Sequence, residues 1–302
     1  MEVVITALGP DHSGLADPII HHVTARGARI SEIQMYDHDE EELFAMLCRL
    51  QFDAGPAPQQ LLTQLQDEMK QIGEHTGLSI RAWSPDARAN QPRLAVACTF
   101  VEHTPRAVLE AVAAGQIAAE VPVIISNRKK LGFLADEFNC DFKMIGDGTG
   151  AVDDAALLAT LDEYDIDYLI LARYMRILPA DACWQFAGGR IINLHHGLLP
   201  GFPGFRPYHD AHNARMLTFG ATCHFIIPEL DAGNQTINQR TFSVAPGTSL
   251  DDIIARGESE NEPACLVEGV RRVVDREVHL HFHRVVPRKD VFAKKAAASS
   301  SR

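Results

Sequence analysis

The chain has 302 residues, 46% of them hydrophobic, and a formal net charge of −12 at pH 7. This length predicts about two domains, and so acidic a chain lacks the basic surface of a nucleic-acid-binding protein. No stretch reaches the roughly 18 apolar residues that a membrane helix needs, and the first residues, MEVVITALGPDHSG, show no secretion signal. Six scattered cysteines without a CxxC pair favour reduced thiols. We therefore expect a cytoplasmic globular protein.

Residues 1–85 predict a small α/β domain. Apolar, β-branched runs predict strands, and helical spacing of apolar residues predicts helices. The strands are expected at 2–8, 28–36, 43–52 and 77–83, and the helices at 14–26 and 58–73. The resulting order, βαββαβ, is that of a ferredoxin-like domain. The polar stretch SPDARANQPR (84–93) contains two prolines and no periodicity, so we assign residues 86–93 as a linker.

Residues 94–287 predict a second, larger α/β domain. Continuous Val/Ile/Leu runs alternating with helical segments favour a Rossmann-like, mostly parallel sheet covered on both faces. These runs lie at 94–100, 122–126, 167–172 and 190–195, with paired later strands at 221–227 and 236–244. A helix is expected at 249–274 and an edge strand at 278–286, and the low-complexity tail at 288–302 is expected to be disordered.

Three histidines alternate in the last predicted strand: His279, His281 and His283. They resemble a metal-binding face, but no acidic residue accompanies them. We therefore interpret them as an exposed strand face and predict no metal site.

The stretch INLHHGLLPGFPGFRPYHDAH (192–212) carries the candidate chemistry. Asn193 and His195 are two residues apart on a strand, so both side chains face the same way, while Leu194 and His196 point to the other face. Ligands of open α/β sheets bind beyond the carboxyl ends of the strands. Two donors at this position can stabilise an oxyanion, and the later Asp231 can orient and help deprotonate a nucleophile. The residues therefore indicate acyl chemistry.

The spacing of these motifs resembles that of enzymes that use 10-formyltetrahydrofolate. The N-x-H, L-L-P, G-x-x-x-H and D-A-G elements all occur in order, and the segments at 121–127, 171–178, 193–200 and 205–212 resemble those of the deformylases. Residues 1–85, with the turn GPDHSGL, resemble the ACT domain, a βαββαβ module that often binds amino acids. The resemblance covers nearly all of residues 2–286.

The resemblance implies hydrolysis of 10-formyltetrahydrofolate to tetrahydrofolate and formate, within one-carbon metabolism and purine biosynthesis. It implies that Asn193 and His195 hold the oxyanion while Asp231 positions water and shuttles its proton. The residues implied in binding the folate substrate are Met175, Arg176, Ile177, Leu178, Gly197 and Gly233. The folate is the substrate, so no separate cofactor is implied. The ACT resemblance implies a homo-oligomer with a possible amino-acid effector.

Two departures from the family pattern lie beside the candidate site. Gly197 stands where the family has a small polar residue, and the segment after Gly233 has one additional residue. Both leave the choice between hydrolase and transferase open. The runner-up is therefore a formyltransferase acting on an amine, and the third reading is a non-catalytic amino-acid sensor.

A phosphorylated acceptor is disfavoured, since the segment after the first strand of the second domain, CTFVEHTPRAV (98–108), contains no glycine for a phosphate-binding loop. The intact set of Asn193, His195 and Asp231 weighs against a sensor without catalysis.

Overall fold

The protein is described by a computed structural model that covers residues 1–38, 43–53, 58–88, 91–227 and 235–287. The chain divides into two compact units. One comprises Met1–Asn90 and Leu178–Arg190, and the other comprises Gln91–Ile177 and Ile191–Arg302.

The first unit is built on a four-stranded antiparallel sheet. Its elements are β1 (Glu2–Pro10), α1 (Ala16–Ala25), β2 (Arg29–His38), β3 (Leu43–Gln51), α2 (Pro58–Thr76) and β4 (Ser79–Trp83). The strand order is β2-β3-β1-β4, which confirms the predicted ferredoxin-like domain. The helices pack on one face of this sheet, where Ile5, Met46, Ile19 and Leu65 are fully buried.

The second unit is built on a seven-stranded sheet in the order β11-β10-β9-β8-β5-β6-β7. The strands are β5 (Arg93–Cys98), β6 (Glu120–Ser126), β7 (Asp141–Met144), β8 (Tyr168–Leu171), β9 (Ile191–His195), β10 (Thr218–Phe225) and β11 (Thr236–Ser243). The helices are α3 (His103–Ala113), α4 (Phe133–Phe138), α5 (Asp154–Glu163), α7 (Pro207–Asn213), α8 (Leu250–Arg256) and α9 (Glu262–Val274). Strands β5 to β9 are parallel, and β10 and β11 run antiparallel. The mostly parallel sheet is confirmed.

Most of the segment between β8 and β9, Leu178–Arg190, belongs to the first unit and contains the short helix α6 (Ala180–Gln185). Thr6 Oγ1 donates a hydrogen bond to the Gln185 carbonyl oxygen (3.1 Å), and Arg49 Nη2 donates to that of Gly188 (3.2 Å). The segment thus covers the face of the β1 to β4 sheet that α1 and α2 leave open. This is why β1 is apolar without alternation, being buried on both faces over most of its length.

The prediction of one edge strand at 278–286 is wrong. The segment folds into a hairpin of β12 (Val278–His281) and β13 (Arg284–Pro287). Phe282 and His283 both adopt positive φ values, 45° and 57°, and so reverse the chain within two residues. The predicted helix at 249–274 is helical along nearly all of its length, but a π-helical turn, Gly257–Asn261, separates α8 from α9.

The tail at 288–302, predicted to be disordered, lies outside the described residues. Among the helices that the structure does describe, none has the length and apolar character needed to cross a membrane.

Candidate active site

Strand β9 brings the two central candidate residues to the carboxyl edge of the parallel strands. In the antiparallel pairing with β10, Asn193 lies opposite His224 and His195 lies opposite Thr222. Directly paired residues project from the same face of a sheet. One face of the β9–β10 pair therefore presents an amide, two imidazoles and a hydroxyl, at the edge where open α/β sheets bind their ligands.

Asn193 and His224 are joined by a hydrogen bond. The Asn193 Nδ2 and His224 Nε2 atoms are 3.1 Å apart, and His224 Nδ1 lies 3.1 Å from the carbonyl oxygen of Phe225. A carbonyl only accepts, so Nδ1 carries the proton, and Nε2 of the neutral ring accepts from Asn193. His224 is 2% exposed and fixes which way the Asn193 amide points. The sequence carries His224 as the last residue of the G-x-x-x-H element and on a predicted strand, but gives no reason to assign it to the site.

His195 is anchored to the turn that follows β9. Its Nε2 lies 2.8 Å from the carbonyl oxygen of Phe202, and the side chain is buried. The Nε2–H group therefore donates to Phe202. The neutral ring then offers Nδ1 as an acceptor, whereas the imidazolium offers Nδ1–H as a second donor.

Thr222 fixes the start of that turn to β10. Its hydroxyl donates to the Gly197 carbonyl oxygen (2.7 Å) and accepts from the Leu199 N–H group (3.0 Å). Gln239 Nε2 donates to the Leu199 carbonyl oxygen (2.7 Å). Three neighbouring strands, β9, β10 and β11, thus hold the turn that anchors His195.

Gly197 has no room for a side chain. A Cβ atom at this position would collide with the Pro207 ring and would lie 2.9 Å from His195 Nε2. The departure from the small polar residue of the family pattern therefore has a steric cause in this chain. Gly197 contributes its carbonyl group to the site.

His196 projects away from the Asn193 face. Burial lowers the pKa of His196 to about 3, with further lowering by the Arg173 guanidinium and by His195, against a raising effect of the Phe205 carbonyl. His196 is therefore neutral at physiological pH.

The loop between β8 and α6 carries the residues predicted to bind folate. Met175 is half-buried, Arg176 is exposed, and Ile177 is 62% exposed although it is apolar. Leu178 is buried and begins the segment that belongs to the first unit. Ile177 is not needed for core packing at that exposure, which is consistent with an apolar ligand contact.

Two predicted site residues, Asp231 and Gly233, lie outside the described residues. Within the described ranges, no group of three or more His, Cys, Asp or Glu side chains is placed to hold a metal ion.

The two units match two families. The formyl transferase family model matches residues 92–270, more than half of the chain, and the ACT domain family model matches residues 2–82. The fold and the site thus define an ACT-domain protein with a formyl transferase domain.

Individual proteins of this class differ in how much of the chain they resemble. The formyltetrahydrofolate deformylase of Synechocystis sp. is 36% identical over 197 residues, which cover 65% of this chain and 68% of the relative. The crystal structure of a formyltetrahydrofolate deformylase from Burkholderia mallei is 25% identical, with a TM-score of 0.60, and covers 95% of this chain and 99% of that one. A glycinamide ribonucleotide transformylase from Symbiobacterium toebii also has a TM-score of 0.60, at 27% identity, but covers only 66% of this chain.

The transformylase thus shares the second unit's fold, whereas the deformylase is similar over both units. This chain belongs to the formyltetrahydrofolate deformylase family.

Proposed function

We propose that this protein hydrolyses 10-formyltetrahydrofolate to tetrahydrofolate and formate. The observation that carries the proposal is the β9–β10 face, on which Asn193 is oriented by His224 beside the anchored His195. The deformylase relatives support the same reaction by their names.

In this reaction, a water oxygen attacks the formyl carbon and the carbonyl electron pair moves onto oxygen. The tetrahedral intermediate then collapses, the bond from carbon to N10 breaks, and N10 takes up a proton as formate leaves. The barrier is lowered by donors placed where the negative charge develops.

Asn193 supplies one such donor. Its Nδ2 atom carries two hydrogens, of which one is bound by His224, and the other is available to the oxyanion. Because the amide is already oriented, little reorganisation is needed during the reaction. We assign the second donor to His195 through Nδ1–H, while Nε2–H stays on the Phe202 carbonyl oxygen.

We assign the water to Asp231, as the sequence pattern implies. A carboxylate positions the attacking water, accepts its proton, and returns a proton to N10. The reaction needs no redox or metal chemistry, so no cofactor beyond the folate substrate is proposed.

The β8–α6 loop is proposed to bind the folate. Met175 and Ile177 supply apolar surface, Leu178, whose side chain is buried, contributes through its backbone, and Arg176 supplies a cation for the anionic glutamate end of the substrate. In a chain of net charge −12, such a local cation is needed to offset repulsion of an anionic ligand. Gly197 and Gly233 complete the proposed binding residues through their backbone.

A transferase acting on a non-phosphorylated amine is the second candidate, favoured by the similarity to the transformylase. The segment after β5, CTFVEHTPRAV (98–108), argues against a phosphate site, because it contains no glycine for a phosphate-binding loop. A phosphate nest would need exposed backbone amides there.

Product analysis separates the two candidates. We expect the purified protein, given 10-formyltetrahydrofolate alone, to release tetrahydrofolate and formate in equal amounts. The matched control is Asn193→Ala, which should be slower under the same conditions. Turnover that requires an added amine would establish the transferase, and no turnover with a broad panel of amines would favour the sensor.

The ACT unit is proposed to bind an amino acid, such as glycine or methionine, within a cytoplasmic homo-oligomer. The segment Leu178–Arg190 packs in this unit and continues directly into β9, which carries Asn193 and His195. A change in the ACT unit therefore has a covalent route to the catalytic strand. The test is to titrate each of the twenty amino acids while following the rate of deformylation. If no amino acid changes that rate by even twofold, the ACT unit has no effector role.

A further inference from the structure

A buried ion cluster lies within the second unit, apart from the Asn193 face. Arg173 Nη2 donates to Glu258 Oε1 at 2.6 Å, and Arg173 Nε lies 3.5 Å from Glu262 Oε2. Arg173 is 9% exposed and Glu262 is fully buried. Buried charges of this kind are rare unless a specific geometry requires them.

The two carboxylates lie close together in sequence, where α8 passes into α9. Glu258 lies in the π-helical turn and Glu262 begins α9. A single π-turn inside an α-helix shifts the side chains that follow it, and such turns occur frequently at functional sites. Here the turn directs both carboxylates towards one guanidinium.

The cluster extends to the turn that follows β9. The Tyr208 hydroxyl donates to Glu262 Oε1 at 3.1 Å, and the Tyr208 ring centroid lies 6.1 Å from that of His196. Gly257 packs so closely on the Tyr208 ring that an added Cβ would collide with it. His196 directly follows His195, so the cluster reaches the strand end that carries the proposed oxyanion donor.

The backbone of Arg173 is also unusual. It has φ 61°, a left-handed conformation that non-glycine residues adopt at an energetic cost and that persists only where the surroundings enforce it. Arg173 stands two residues before Met175, in the loop proposed to bind folate. The ion pair therefore holds the first turn of that loop.

We propose that Arg173 is a positioning residue. Its ion pairs with Glu258 and Glu262 fix the position of the β8–α6 loop relative to the end of β9. The folate-binding residues on the loop and the oxyanion donors on the strand are thereby held at a fixed separation. This inference rests on the proposed function for its kinetic consequences, but the positioning itself is measurable without turnover.

Arg173→Lys is the informative variant, because lysine keeps the charge but cannot hold two carboxylates with a planar fork. We expect kcat/KM to fall roughly 10–100-fold, since small misplacements of reacting groups cost rates of this order. Tyr208→Phe, which keeps the ring and loses one hydroxyl, should give a smaller loss in the same direction. The matched control is Glu268→Gln, which breaks partly exposed pairs with Arg271 and Arg272 on the same helix and should leave kinetics within twofold.

Hydrogen exchange of the folded variants provides the readout that does not depend on catalysis. Peptides spanning 172–177 should exchange hydrogen faster in Arg173→Lys and Tyr208→Phe than in the wild type. In Glu268→Gln they should exchange at the wild-type rate. If the wild-type protein releases no formate, the proposed function fails while this comparison still tests the positioning. A lower melting temperature for Arg173→Lys with unaltered kcat, KM and loop exchange would show that the pair only stabilises the fold, and would overturn the proposal.

Discussion

The Asn193 side chain donates a hydrogen bond from Nδ2 to Nε2 of His224, across the β9–β10 pairing, at 3.1 Å. The His224 ring is held in turn by the Phe225 carbonyl oxygen, 3.1 Å from Nδ1. This chain of two hydrogen bonds determines the orientation of the amide that we propose to stabilise the oxyanion.

The orientation can be tested by replacing His224 with two amides of different reach. His224→Gln can place an acceptor near the position of Nε2, whereas His224→Asn is too short to do so. We expect the Asn variant to lose roughly 10–100-fold in kcat, less than removal of an oxyanion donor itself, and the Gln variant to recover much of that loss. Equal kcat values for the two variants would show that the hydrogen bond between His224 and Asn193 does not affect kcat.

The cooperation of Asn193 and His195 can be measured with a double-mutant cycle. If both stabilise one oxyanion, their losses should not add, because removing either donor already disrupts the shared interaction. The double alanine variant should then be little slower than the slower of the two single variants. Fully additive losses in kcat/KM would instead assign them to different steps.

Asp231 is expected to act mainly in the transition state. Asp231→Asn should lower kcat by roughly 10²–10⁴, the range for a positioned acid–base group. Folate binding, measured by equilibrium titration with tetrahydrofolate, should be nearly unchanged. Activity within threefold of the wild type would remove Asp231 from the mechanism.

Glu262 is expected to make stability depend on pH. Burial raises the pKa of Glu262 to about 7, against the opposing effects of the Arg173 guanidinium and the Tyr208 hydroxyl, while Glu258 raises it further. The folded protein therefore holds this proton more tightly than the unfolded chain. The resulting stabilisation is full below the unfolded pKa of 4.5 and is lost as pH rises to about 7.

Replacing the carboxyl by an amide removes this dependence. Between pH 4.5 and 8, the free energy of unfolding of the wild type should fall by roughly 2–4 kcal/mol relative to that of Glu262→Gln. His196 is present in both proteins, so its titration cancels. Glu268→Gln is the control: partly exposed hydrogen bonds from Arg271 and Arg272 lower the pKa of Glu268, so its effect should be small and of opposite sign. A flat difference for Glu262→Gln would contradict the raised pKa.

The sequence predicted the elements that local patterns determine. Period-two alternation placed Asn193 and His195 on one face, and apolar runs located four of the five parallel strands. The fifth, β7 (Asp141–Met144), reads DFKM, has no apolar run and was not predicted. His224 could not be assigned in this way, since its contact with Asn193 depends on the register between two strands that are far apart in sequence. The packing of Leu178–Arg190 in the first unit is likewise a tertiary effect that no local pattern carries.

Two misjudged segments share one cause. The alternation at 278–286 has the period of a single strand, but Phe282 and His283 take up left-handed conformations that few non-glycine residues adopt. Helical periodicity likewise does not reveal the π-turn at Gly257–Asn261, which places Glu258, inside the turn, and Glu262, directly after it, beside Arg173. In both places packing determines the backbone rather than local preference.

The central claim is that water accepts the formyl group. It is tested most directly by a single turnover of 10-formyltetrahydrofolate in water enriched in oxygen-18, with the formate analysed by mass. We predict one heavy oxygen in each formate molecule and an equal amount of tetrahydrofolate, with no amine added. Formate without the heavy isotope would contradict the claim. So would loss of the formyl group only when an amine is present, with the formyl group found on that amine.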